Sequence, residues 1–198
     1  MIYPDFNNII INNSVGVSPV GSDTQLIAQQ VAQLDFTRAL EVGIGTGFIP
    51  IYLSTLNRQC EGIDINPQAI NCASENAKLN QVDVKFFLSD LFANVTGKFE
   101  LIIFNPPYGN VRSTFASKYL EIIKSLLPKE NPLLSKITYL LIRKSRRQLI
   151  SLFLDNVKSV LVDSGNIVIL LHYSELDLIK DSKFRILGEL GQQKLVCI

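Results

Sequence analysis

Apolar runs alternate along the chain with longer stretches whose apolar positions recur every three or four residues. RALEV (38–42) predicts a strand, FIPIYLSTL (48–56) a helix and CEGIDI (60–65) the next strand. PQAINCASENAKLN (67–80) predicts a helix with Pro67 in its first turn, where a missing N–H costs nothing. VDVKFFLSD (82–90) opens with strand alternation, and KFELIIFN (98–105) is the near-continuous apolar run of a strand buried on both faces. TFASKYLEIIKSLL (114–127) and RRQLISLFLDNVKSVLVD (146–163) predict helices, the second closed by Ser164 and Gly165. NIVILLHY (166–173), KFRILGEL (183–190) and QKLVCI (193–198) predict strands, the last two antiparallel around Gly191. The alternation predicts an α/β fold: a mostly parallel sheet with helices on both faces.

Two segments stand outside that alternation. Residues 1–35 form an N-terminal extension, with SDTQLIAQQVAQL (22–34) as a helix capped by Ser22 or Asp23. Residues 128–144 carry Pro128 and Pro132 and read as an insertion past the fourth strand, where an open sheet places its ligand crevice. Neither interrupts the reading of a single domain over 1–198.

Composition narrows the class. A hydrophobic content of 47% with 19% charged residues is globular. A net charge of +1 provides no global field toward nucleic acid or an anionic membrane. Cys60, Cys72 and Cys197 lack zinc spacing and read as free buried thiols, with no metal site. No apolar stretch reaches the ~20 residues of a membrane span, and the first residues lack a signal-peptide pattern. The expectation is a cytoplasmic protein without a membrane partner.

LEVGIGTGF (40–48) turns directly from strand to helix. Gly43, Gly45 and Gly47 permit tight dihedrals and let a ligand approach the backbone. The spacing is G-x-G-x-G, with Phe48 following, and departs from the dinucleotide G-x-G-x-x-G. Glu41 would repel a pyrophosphate and suits a ligand carrying ammonium or sulfonium. Asp64 ends the second strand, either accepting from ribose hydroxyls or capping the next helix. Asp90 ends the third strand, where it accepts from an adenine amino group or simply turns the chain; Leu91 offers its backbone N–H to the ring. Ile65 packs on the adenine face or in the core.

The fourth strand runs into Asn105-Pro106-Pro107-Tyr108. A planar amide or amino nitrogen is a poor nucleophile, so positioning matters more than a base. The Asn105 side-chain oxygen and the Pro106 carbonyl can each accept one hydrogen of an NH₂ group. Pro107 removes a competing N–H and stiffens the turn. Tyr108 offers a flat face for stacking, and Gly109 leaves room beside it. Asn105 also borders the cofactor.

These motifs resemble the class I S-adenosylmethionine-dependent methyltransferases with an N-P-P-Y signature. Within them the chain resembles the HemK/PrmC family, which methylates a glutamine amide of peptide-chain release factors. Pro19, Asp23 and Thr24 follow FNNIIINNSVGV in the order of that family's hairpin and Pro…acidic-Thr stretch. The resemblance implies a Rossmann-like class I methyltransferase fold, a seven-stranded sheet with an antiparallel last strand. It implies S-adenosylmethionine as cofactor and a release-factor-like protein as substrate. Short single-domain members sometimes need a small activator subunit, which becomes an expected partner.

The same clamp serves exocyclic amines of adenine and guanine in RNA or DNA. Arg143, Lys144, Arg146 and Arg147 could bind phosphates there, or form a solvated basic helix start. A non-catalytic adenosyl-ligand scaffold has no need of the clamp. Phe48 and the lack of an evident proton donor near the fourth strand disfavour a nicotinamide oxidoreductase. His172 reads as packed or solvent-facing rather than catalytic.

Overall fold

The computed structural model describes residues 1–107 and 145–198. Tyr108, Gly109, the expected helix over 114–127, the 128–144 stretch, Arg143 and Lys144 lie outside the described residues. The chain divides into two compact units: Met1–Asn105 with Asn156–Ile198, and Pro106–Asp155.

The larger unit begins with a hairpin, β1 (Ile2–Tyr3) and β2 (Ile9–Ile10), then α1 (Ser22–Val31). There follow β3 (Arg38–Val42), α2 (Phe48–Thr55), β4 (Gln59–Asp64), α3 (Pro67–Leu79), β5 (Phe86–Leu88) and β6 (Phe99–Phe104). The last strands are β7 (Leu161–His172), β8 (Arg185–Leu190) and β9 (Gln193–Cys197). Seven strands form one sheet in the order β5-β4-β3-β6-β7-β9-β8. Neighbours from β5 to β7 are parallel, and β9 runs antiparallel to both β7 and β8. Gly191, at φ 58°, supplies the left-handed turn between β8 and β9.

The central strands read as continuous apolar runs because both sheet faces are buried. Leu40, Ile102 and Ile169 are fully covered on one face; Ala39, Ile103 and Val168 are equally covered on the other. Ile27, Ala28 and Val31 of α1 and Phe48, Ile49, Ile51 and Leu53 of α2 pack on that second face.

Three boundaries differ from the sequence reading. The helix expected over 146–163 covers 145–156, followed by a 3₁₀ turn at Val157–Ser159. Leu161 already belongs to β7: it pairs with Phe99, whose N–H donates to Val160 O at 2.8 Å. Sheet pairing there outweighs the helical spacing. Gly165 is therefore no helix cap; a Cβ on it would sit 2.6 Å from Leu161 Cδ1. β5 starts at Phe86, not Val82, because Val82 N–H donates back to Ala77 O at 3.1 Å and closes α3. α1 starts after Gly21, which carries no side-chain cap, so neither Ser22 nor Asp23 fills that role.

The hairpin is fixed by two kinds of contact. Tyr3 and Phe6 set their rings edge-on to Phe48, at centroid distances of 4.9 and 5.0 Å. Asn76 and Asn80, one turn apart on α3, use their amides as a strand edge would. Asn76 Oδ1 accepts from Asn12 N at 2.9 Å while Nδ2 donates to Asn12 O and Thr46 O, both at 3.0 Å. Asn80 pairs in the same way with Ile10 N and O, both at 2.7 Å. Asn76 is buried, so its removal strands three backbone groups at about 1–3 kcal/mol each. Asn76→Ala should cost roughly 3 kcal/mol or more, read as a lowered urea midpoint. Asn80→Ala, at a partly exposed site, should cost less.

Candidate active site

The parallel register brings four strand ends together. Val42 pairs with Ile63 of β4 on one side and Phe104 of β6 on the other. The next position in that register sets Gly43 between Asp64 and Asn105. Leu88 of β5 pairs with Asp64, which carries Ser89 and Asp90 to the same end.

Gly43, Gly45 and Gly47 all adopt positive φ, at 77°, 53° and 80°. The turn thus uses each glycine for its conformation. At Gly43 nothing among the described residues lies within 4 Å of where a Cβ would be, and the residue is exposed. A Cβ on Gly47 would instead meet Ala73 Cβ at 2.7 Å; that glycine permits close packing of α3. Phe48, which broke the dinucleotide spacing, is buried against the hairpin aromatics.

Asp64 Oδ2 accepts from Gly45 N at 3.3 Å and Oδ1 from Asn66 N at 2.9 Å. Asp64 is not the cap of α3. Asn66 is, with its side chain accepting from Gln68 N at 3.1 Å. Burial raises the Asp64 carboxyl above its ordinary value, against the backbone donors of Asn66, Gly45 and Ile65. Ile65 is 66% exposed, which removes the core alternative. Asp90 is exposed and Leu91 is half-buried at φ 44°. Ser89, which the sequence reading passed over, organises this turn: its hydroxyl donates to Leu91 O at 2.7 Å and accepts from Asn94 N at 3.1 Å.

Glu41 is buried, and its Oε2 has no hydrogen-bond partner among the described residues. Burial, and secondarily the charge of Asp64, pushes its carboxyl well above the usual range. Asn105 shows the same feature. Its Nδ2 donates to Asp23 Oδ2 at 2.9 Å, while its buried Oδ1 has no partner among the described residues.

In the smaller unit, Arg146 is buried and donates to the Pro106 carbonyl. Burial rules out the solvated helix start for this residue. A carbonyl has two lone pairs, so the bond leaves Pro106 one acceptor position. Pro107 is exposed. His172 caps a 3₁₀ helix in a capping box with Glu175 and contacts Ser174 and Gln192, a packed structural role. Among the described residues no cluster of His, Cys, Asp or Glu could hold a metal.

A model of the methyltransferase small domain matches residues 10–134. The chain belongs to this family. Its members are class I S-adenosylmethionine-dependent methyltransferases, and the family's cofactor fits the open glycine turn and the unpartnered Glu41 oxygen. Among relatives, a putative protein N5-glutamine methyltransferase of Methanocaldococcus jannaschii is 48% identical over 87 residues, 43% of this chain and 44% of that protein. A release factor glutamine methyltransferase of Deinococcus radiodurans is 39% identical over 85 residues, 42% of this chain and 31% of that protein. The chain thus spans less than half of these two relatives. The solved 16S rRNA N2 G1207 methyltransferase of Thermus thermophilus, in complex with AdoMet and guanosine, has a TM-score of 0.65 at 12% identity. That alignment covers 92% of this chain and 44% of the solved one, and it shows the shared methyltransferase fold.

The raised Glu41 carboxyl has a defined stability signature. An acid with a raised folded pKa contributes stability that is present below its unfolded pKa and lost as pH rises through the folded one. Glu41→Gln should therefore match wild type at acidic pH and gain on it progressively above the ordinary carboxylate range. Urea titrations of both proteins across pH 4 to 9 read this directly, and parallel curves would contradict it.

Proposed function

We propose that this chain transfers a methyl group from S-adenosylmethionine to the side-chain nitrogen of a protein glutamine, in a substrate of the release-factor type. The observation carrying this reading is the state of Asn105: its NH₂ end is tied to Asp23 and its buried oxygen is left without a partner. Such an oxygen is an acceptor ready for one N–H of an incoming NH₂ group.

The bound cofactor supplies an electrophilic methyl on a sulfonium. Glu41 and the backbone of Gly43, Gly45 and Gly47 would hold its cationic part. Asp64 would take the ribose hydroxyls, with Ile65, Asp90 and Leu91 around the adenine. Asn105 Oδ1 and the remaining lone pair of the Pro106 carbonyl would hold the acceptor nitrogen, Pro107 would stiffen the turn, and Tyr108, outside the described residues, would offer its ring for stacking. Both acceptors would stabilise the positive charge that builds on the nitrogen as the N–C bond forms and the methyl–sulfonium bond breaks, its electron pair returning to sulfur, which leaves as a neutral thioether. The surplus proton then leaves the nitrogen for solvent.

The likeness to glutamine methyltransferases supports a protein substrate, and burial of Arg146 weakens the phosphate-binding rival. The resemblance to short relatives adds a small activator subunit as partner. Three free cysteines fit a reducing cytoplasm, and no helix among the described residues is long and apolar enough to cross a membrane.

Asn105→Ala should lower methyl transfer on the order of 10²-fold or more while S-adenosylmethionine binding by calorimetry is retained. Turnover at the wild-type rate would remove the clamp. Labelled methyl transfer into cell extract, divided by protease and nuclease sensitivity, decides the acceptor. Protease-sensitive label supports glutamine; nuclease-sensitive label would transfer the reading to a nucleic-acid base.

A further inference from the structure

We infer that Asp23 is a positioning residue that decides which end of the Asn105 amide meets the acceptor, and that Gly21 is glycine to admit it. The inference rests on the methyltransferase reading above. An asparagine amide has two ends of nearly equal shape and opposite hydrogen-bonding sense. If Asn105 presented its NH₂ to an incoming NH₂, two donors would face each other and the nitrogen would be repelled. A neighbour that only accepts removes that orientation, and a carboxylate only accepts. Asp23 Oδ2 lies 2.9 Å from Asn105 Nδ2, across 82 residues of sequence. The buried Oδ1 is thereby left for the substrate.

Gly21 gives independent support. Its φ of −100° and ψ of 176° are open to any residue, so the backbone does not demand glycine. A Cβ there would stand 2.3 Å from Asp23 Oδ1. Any side chain at position 21 must displace the carboxylate.

The test uses the full chain, with labelled S-adenosylmethionine and cell-extract protein as the methyl acceptor. Asp23→Ala and Gly21→Ala should each reduce the transfer rate ~10-fold or more, with the S-adenosylmethionine dissociation constant changed less than about twofold. Asp23→Asn can still accept from Asn105 but also permits the reversed amide, so it should recover much of the rate. Side-chain ¹⁵N spectra give a readout apart from activity: the Asn105 NH₂ hydrogens should exchange with solvent faster in Asp23→Ala and Gly21→Ala than in wild type. Wild-type transfer in Asp23→Ala or Gly21→Ala would overturn the inference. So would a rate loss matched by an equal loss of cofactor affinity, or an Asp23→Asn variant no better than Asp23→Ala. Asn105→Ala run in parallel separates the two levels. If it stays active, the methyltransferase clamp fails; if it is inactive while Asp23→Ala is not, only the orienting role fails.

Discussion

Parallel pairing of β3 with β4 on one side and β6 on the other is the constraint from which the site follows. Each strand is about five residues long and buried on both faces, so its register cannot slip without exposing a row of apolar side chains. With Val42 aligned to Ile63 and Phe104, the next residue along each of the three chains must converge at the strand ends. Gly43, Asp64 and Asn105 are those residues. The sheet therefore assembles one line of chemistry from segments that lie some 20 to 40 residues apart in sequence, a separation that suits the crossover helices of a parallel sheet.

What the sequence made legible and what it hid divide along the same physical line. β3, α2, β4 and α3 were readable within one or two residues because their apolar period, glycine turn and first-turn Pro67 all agree locally. The end of the helix at residue 156 was not, since Val160 to Val162 satisfy a helical spacing as well as a strand. Only the bond from Phe99 N–H to Val160 O settles that choice, and it is a long-range fact. The glycine turn, Asp64 and Asn105 were visible as candidate site residues for the same local reason. Asp23 was visible only as a cap or a family motif, because its partner is remote. Asn76 looked like an ordinary polar position on α3; nothing in helical periodicity marks an amide that serves a distant backbone.

Asn76 on α3 ties the segment after the hairpin to the glycine turn. Its amide holds Asn12 in the segment after the hairpin and the carbonyl of Thr46 in the middle of the glycine turn. Phe48, at the start of α2, is held from the same side by Tyr3 and Phe6. The hairpin thus braces the turn that would carry the cofactor. A turn with three residues at positive φ has little intrinsic preference for one shape, so external bracing is what keeps its backbone in a fixed arrangement.

Unsatisfied polar atoms make the strongest case that this end of the sheet is built for a ligand. Among the described residues three buried side-chain oxygens lack a hydrogen bond: those of Glu41, Glu61 and Asn105. Glu61 is accounted for, since its Oε2 faces Lys85 Nζ at 3.0 Å. The other two share one sheet face. Glu41 pairs with Ile103 across β3 and β6, and Asn105 follows two residues later on the same side. Each orphan acceptor costs about 1–3 kcal/mol, and a fold retains such a cost where a ligand relieves it. A cationic ligand would satisfy a carboxylate at position 41, and an NH₂ donor would satisfy the amide oxygen at 105. The two unfilled acceptors therefore ask for a cation and for an amine, the two partners that a sulfonium methyl donor and a planar nitrogen acceptor would bring.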